Sequence, residues 1–193
     1  MLDTANKTPA LIVLDLENDL IHPDGKLPFN AQMVADNHVI DKANTAIRWA
    51  RQHDFLIVFV RVGFTKHYVE CPATSPVFGY AKQAQALQLN TWGTEFDKNL
   101  DVRLDDVIVT KHRISAFYAT PLQAILSARQ IQQVVLCGVS TDFAVQSTAR
   151  EAHDRDYGVT IVQDACAGNS FEEHHNTLKL LGKFSALMNS DDL

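Results

Sequence analysis

Residues 136–150, "LCGVSTDFAVQSTAR", hold the end of an apolar strand, a tight turn at Gly138 and the opening of a helix. In an open α/β sheet this kind of junction meets ligands. Backbone N–H groups at a helix start and the helix dipole favour negative charge there. It is also where an α/β enzyme commonly carries a nucleophile. This helix opens instead with Phe143, Ala144 and Val145, none of which can attack a substrate. Ser140 and Thr141 can equally serve as ordinary N-caps.

Working outward, the strand before the turn is "QVVLCG" (133–138) and the next is "GVTIVQDA" (158–165). Similar runs recur at "ALIVLDL" (10–16), "FLIVFVRV" (55–62) and "DVIVTK" (106–111), with a weaker sixth at "FSALM" (184–188). Strands apolar on both faces suit a sheet covered on both sides. Helices are expected between them. Residues 36–53 place Val39, Ile40, Ala43, Ile47 and Ala50 at helical spacing. "TPLQAILSARQ" (120–130) offers Thr120 as N-cap and Pro121 at the first helical position. Residues 142–156 and 171–183 supply two more. The alternation predicts one α/β domain over residues 1–193, with a doubly wound, mostly parallel sheet. The segment 63–105, with Pro72, Pro76, Gly79 and Gly93, is expected to form loops and short helices over one end of the sheet.

Composition narrows the function classes. The chain has 193 residues, 46% of them hydrophobic and 21% charged, as in an ordinary globular protein. A net charge of −6 argues against nucleic acid, which needs a basic footprint. Cys71, Cys137 and Cys166 are too few and too scattered for a disulfide framework, so a reducing cytoplasm is the expected compartment. No CxxC or HxxxH spacing occurs, and no DxH lies near the second strand, so neither a metal nor another cofactor is expected. The run "PALIVLDL" is short, broken by Asp15 and not preceded by a basic segment. No membrane span or signal peptide is expected.

Ligands of such sheets bind beyond the carboxyl ends of the strands. Asp15, Val62-Gly63, Lys111, Gly138–Thr141 and Asp164 fall there. Asp15 interrupts an apolar strand, so it is either a structural acid that caps a loop or a general acid or base tuned by burial and by Lys111. Lys111 opens "KHRISAF" and is either a solvated strand end, as suits His112 and Arg113, or the partner of Asp15 on a neighbouring parallel strand. Cys137 lies within an apolar strand, where a thiol is usually inert core. Cys166 reads as packing. Ser147 has no evident base, and His174 and His175 are expected to face solvent from a late helix.

Four stretches together resemble the isochorismatase-like hydrolase superfamily, which includes isochorismatases, nicotinamidases and N-carbamoylsarcosine amidases. They are "LIVLDLENDL" (11–20), "NTWGTEF" (90–96), "VIVTKHRISAF" (107–117) and the region from Leu136 to Gly168. The resemblance implies a three-layer sandwich with a six-stranded parallel sheet. It also implies catalytic roles for Asp15 and Lys111, and a cis peptide between Val139 and Ser140 that turns backbone amides toward a substrate oxygen. Glu17 stands where the family more usually has Gln. Ala144 matches the position where amidohydrolase members carry their nucleophilic cysteine.

Alanine cannot form a thioester. Three readings follow: a naturally cysteine-free hydrolase, a cysteine amidohydrolase whose nucleophile has been replaced, and a small-molecule binder. True isochorismatases also work without this cysteine. They cleave a vinyl ether, where protonation of carbon is the hard step and a buried Asp can supply the proton. Trp92, Phe117, Tyr118 and Phe143 are expected to wall the pocket. The substrate is expected to be small and partly planar, with or without a carboxylate. "PVFGYAKQAQALQL" (76–89) is a candidate interface of a homodimer or homotetramer.

Overall fold

In the computed structural model, which describes residues 8–193, the six apolar runs become the strands of one sheet. The first seven residues of the expected 1–193 domain lie outside the described residues. The strands are β1 (Pro9–Leu14), β2 (Leu56–Val62), β3 (Val107–Lys111), β4 (Gln133–Val139), β5 (Gly158–Ala167) and β6 (Ala186–Met188). All pairs are parallel, in the order β3-β2-β1-β4-β5-β6. Every residue of β1 is buried, and every residue of β4 except Gln133 is buried or nearly so, as their unbroken apolar character requires.

The helices are α1 (Asn18–Ile21), α2 (Ala31–Asp36), α3 (Val39–Gln52), α4 (Pro76–Gln83), α5 (Leu122–Ala128), α6 (Gln146–Asp154) and α7 (Phe171–Leu181). The chain winds outward from the β1–β4 seam in both directions. Right-handed crossovers running in opposite directions place their helices on opposite faces of the sheet. α3 buries Val39, Ala43, Ala46, Ile47 and Ala50, one stripe at the expected spacing.

Several boundaries differ from those expected, each for a local reason. The helix expected over 36–53 starts at Val39, because His38 takes a left-handed conformation (φ 52°) that separates α3 from α2. α5 begins at Leu122 with Pro121 in the cap position, while Thr120 Oγ1 accepts from the Leu122 N–H at 3.2 Å. β6 starts only at Ala186, because the N–H groups of Phe184 and Ser185 bond back to the Leu181 carbonyl and close α7. Segment 63–105 carries α4 and a single 3-10 turn at Trp92–Thr94 among its loops. Among the described residues, no helix is long and apolar enough to cross a membrane.

Strand order reverses between β1 and β4, and a crevice opens beyond their carboxyl ends at such a reversal. Gly138 lets the two strands meet there. It pairs with Leu14 at φ 116°, and a Cβ at this position would lie 2.0 Å from the Leu14 carbonyl oxygen.

Candidate active site

β1 ends one residue before Asp15, which turns into the left-handed region (φ 54°) while its N–H donates to the Val60 carbonyl at 2.8 Å. Aspartate tolerates this conformation better than most residues. Lys111 is the last residue of β3. The two were expected on neighbouring strands, but β2 lies between them. Two strand spacings are roughly 10 Å, and the four-carbon lysine stem bridges them. Lys111 Nζ reaches Asp15 Oδ2 at 2.7 Å, with Lys111 2% and Asp15 3% exposed. A second Lys111 N–H donates to the Arg113 carbonyl at 3.1 Å.

Burial pushes the Asp15 carboxyl above the ordinary carboxylate range, and the Lys111 charge and hydrogen bond oppose that shift. Asp15 Oδ1 is buried without a protein partner. Glu17 is fully buried, and neither of its oxygens has a side-chain hydrogen-bond partner among the described residues. Its carboxyl is pushed well above the usual range, first by burial and then by the Asp15 charge. The strand ends thus assemble two carboxyl groups and one ammonium group out of water. His112 and Arg113 fasten loops instead: His112 Nδ1 sits 2.6 Å from the Gly63 carbonyl, and Arg113 donates to the Glu70 carbonyl.

After β4 the Val139–Ser140 peptide is cis. The helix expected from residue 142 begins instead as a five-residue π turn, Thr141–Val145, in which the Val145 N–H bonds the Ser140 carbonyl five residues back. Such wide turns recur at functional sites. Ser140 sits at the cap position but makes no side-chain cap bond, and Thr141 Oγ1 bonds His174 Nδ1 at 2.8 Å. His174 is therefore half-buried against the turn rather than solvent-facing, while His175 is exposed. The wide turn presents Phe143 and Ala144 to the same space as Asp15, Lys111 and Ser140. Cys137 lies outside that space and is fully buried, which pushes its thiol far up. Burial pushes the Cys166 thiol up to about 12. Neither sulfur is poised as a nucleophile.

The shared space is a cavity of about 270 Å³. Its floor is the strand ends, and its roof comes from two irregular regions. The chain around α1 and α2 gives Leu20, Leu27 and Asn30, and α4 with its following loop gives Phe78, Ala81 and Leu87. Of the four expected wall aromatics, only Phe143 lines the cavity. Trp92 packs on His22 at 5.1 Å, Phe117 is buried against Tyr157 at 6.0 Å, and Tyr118 lies on the surface beside Arg113. The 76–89 segment, expected as an interface, forms part of this roof.

Sequence reasoning also passed over Asp19, the second acid of "LENDL". It is buried, and its carboxylate accepts from the Lys26 N–H at 3.1 Å and the Leu87 N–H at 2.6 Å. It thus ties both roof regions to one point. A Cβ on Gly93 would lie 2.2 Å from Asp19 Oδ2, so that position must stay small. The legible signal was a carboxylate following the first strand by one helical turn.

Fold and site together define a doubly wound α/β protein with a small-molecule cavity at its switch point, floored by a buried acid–lysine pair. An isochorismatase domain model matches residues 9–192, and the chain belongs to the isochorismatase family of hydrolases acting on small molecules. It is 33% identical to the uncharacterized isochorismatase family protein YecD of Escherichia coli O157:H7, over 92% of this chain and 89% of that protein. It is 30% identical to the ureidoacrylate amidohydrolase RutB of Klebsiella pneumoniae, over 89% of this chain and 79% of that protein. Among solved structures, the pyrazinamidase of Pyrococcus horikoshii in complex with zinc superposes with a TM-score of 0.79 at 26% identity, covering 94% of this chain and 99% of that one. Among the described residues here, no three His, Cys, Asp or Glu side chains converge as metal ligands.

Proposed function

We propose that the protein hydrolyses its substrate by proton transfer through Asp15, with Lys111 as electrostatic partner and no covalent intermediate. The observation that carries this reading is the buried Asp15–Lys111 pair facing a cavity that Ala144 also lines, and the resemblance puts the family thiol at position 144. Burial favours the protonated acid, and Lys111 favours the carboxylate left after transfer. Opposed influences of this kind bring a carboxyl toward the working pH of a general acid.

A vinyl ether fits these groups. The Asp15 O–H breaks as its proton bonds to the terminal enol-ether carbon, leaving an oxocarbenium ion and an Asp15 carboxylate beside Lys111. Water adds to the cation and returns a proton to Asp15. The hemiketal then collapses to a carbonyl compound and an alcohol. No nucleophilic side chain is needed.

The second reading is amide hydrolysis, favoured by the amidohydrolase and pyrazinamidase names of two relatives. There the substrate oxygen would lie against the Val139–Ser140 turn, and the missing thiol belongs at position 144. A screen of small vinyl ethers and amides tests both readings. Vinyl-ether turnover in D2O should place one deuterium on carbon, and kcat/KM should fall as pH rises above the ordinary carboxylate range. Amide turnover that appears only in Ala144→Cys, with that thiol alkylated by iodoacetamide faster than Cys137, would favour the second reading.

A further inference from the structure

The cavity's charge and a buried, unpartnered amide oxygen in its wall specify what it takes. Among the described residues, Asp15 and Lys111 are its only charged lining residues, and each neutralises the other at 2.7 Å. The nearby cations are occupied elsewhere. Lys26 Nζ donates to the Gln85 carbonyl at 2.7 Å, and Arg113 to the carbonyls of Glu70 and His112. A carboxylate drawn into this space would lose its hydration with no free cation to meet it, in a protein already carrying −6. A carboxylated substrate does not suit such walls.

The mouth is apolar as well. Phe29 and Tyr80 stand 54% and 52% exposed with ring centroids 6.0 Å apart, and Val77 and Phe143 complete the rim. These four come from three separate segments yet meet at one opening. Isolated exposed apolar side chains are ordinary, but a cluster around a cavity marks a recognition surface.

Asn30 breaks the pattern. It occupies the N-cap position of α2, where an asparagine side chain normally bonds the helix backbone, but it makes no cap bond. It is only 4% exposed, lines the cavity, and its Oδ1 has no partner among the described residues. A buried acceptor without a donor is costly, and a ligand N–H or O–H would satisfy it.

We infer that the cavity selects an uncharged molecule with a hydrocarbon body and an N–H or O–H group that donates to Asn30. This rests on the reading that the cavity is the reaction site. It adds that Asn30 is a specificity-determining residue, and that the apolar rim accepts the part of the substrate that does not react.

Three probes share one body and separate the requirements: cyclohexanecarboxamide (neutral, with a donor), methyl cyclohexanecarboxylate (neutral, without a donor) and cyclohexanecarboxylate (anionic). Their affinities are measured by calorimetry on the wild type, Asn30→Leu and Val77→Arg. The wild type should bind the amide roughly fivefold tighter than the ester, the value of one net hydrogen bond. It should bind the carboxylate at least about tenfold more weakly than the amide. Asn30→Leu should erase the amide's advantage while keeping the ester. Val77→Arg, on the exposed rim, should recover carboxylate binding without touching the floor, and keeps the test decisive if Asn30→Leu folds poorly. Carboxylate binding equal to or tighter than amide binding overturns the proposal. So does an unchanged amide-to-ester ratio in folded Asn30→Leu, or no amide binding at millimolar concentration. Because the readout is binding, the same selectivity in Asp15→Asn supports the proposal even if Asp15 proves to have no part in turnover.

Discussion

The floor and the roof of the cavity are built on opposite principles. The floor consists of strand ends, where a parallel sheet fixes Asp15, Lys111 and the turn after β4 through backbone ladders. It concentrates polar and ionisable groups out of water. The roof comes from the loops around α1 and α2 and from α4, is almost wholly apolar, and has its two parts tied to each other through the Asp19 carboxylate. Chemistry thus sits where the backbone is most constrained, and selectivity sits where it can vary without disturbing the sheet.

Breaking the floor should cost most. Lys111→Met leaves a buried carboxyl without its partner, and removing one member of such a pair costs about 3–5 kcal/mol. Urea denaturation checks this, and the double variant Asp15→Asn with Lys111→Met should recover part of the loss. A change under about 1 kcal/mol, the range of exposed pairs, would mean that the pair is solvated.

Detaching the roof should cost less and read out differently. Asp19→Ala strands the Lys26 and Leu87 N–H groups, a loss of about 3 kcal/mol for two bonds to a charged acceptor. Its effect on turnover should fall mainly on KM, because the floor is untouched. Steady-state kinetics on whichever substrate the screen identifies separates the two: a fall in kcat with KM unchanged would contradict the division between floor and roof.

The smallest effect is expected at Glu17. Its folded-state carboxyl is raised well above 4.5, so the folded protein holds a proton that the unfolded chain releases above that pH. Stability from this group is therefore full below the unfolded value and lost as pH rises. Between about pH 5 and pH 6 the wild type should lose up to about 1.4 kcal/mol relative to Glu17→Gln. Parallel stability curves for the two proteins would show that Glu17 is not the titrating group.

The same division governs what the sequence disclosed. Unbroken apolar runs made all six strands visible, and an acid and a lysine ending two of them marked the floor. The reason offered for their meeting needed correction, since strand order is a property of the whole topology and β2 intervenes. The roof was legible only in outline, as loops and short helices over residues 63–105, and its cavity-lining residues were not. α4 lies in a segment rich in turn residues, and Asn30 reads as a helix cap in sequence although its side chain makes no cap bond and the residue lines the cavity. Phe117 and Trp92 were equally ambiguous. An aromatic reads the same in sequence whether it faces a ligand or, like Phe117, another ring of the core.

The central claim is that Asp15 carries the proton without help from a covalent thiol, and Asp15→Asn tests it most directly. Asparagine keeps the shape and an acceptor for Lys111 but cannot donate the proton. Circular dichroism should first establish a temperature at which the variant is folded. Turnover per folded molecule should then fall by about 10²–10⁴-fold, the usual contribution of a general acid, while the three native cysteines remain intact. Retention of activity within about tenfold of the wild type, below that range, would contradict the account.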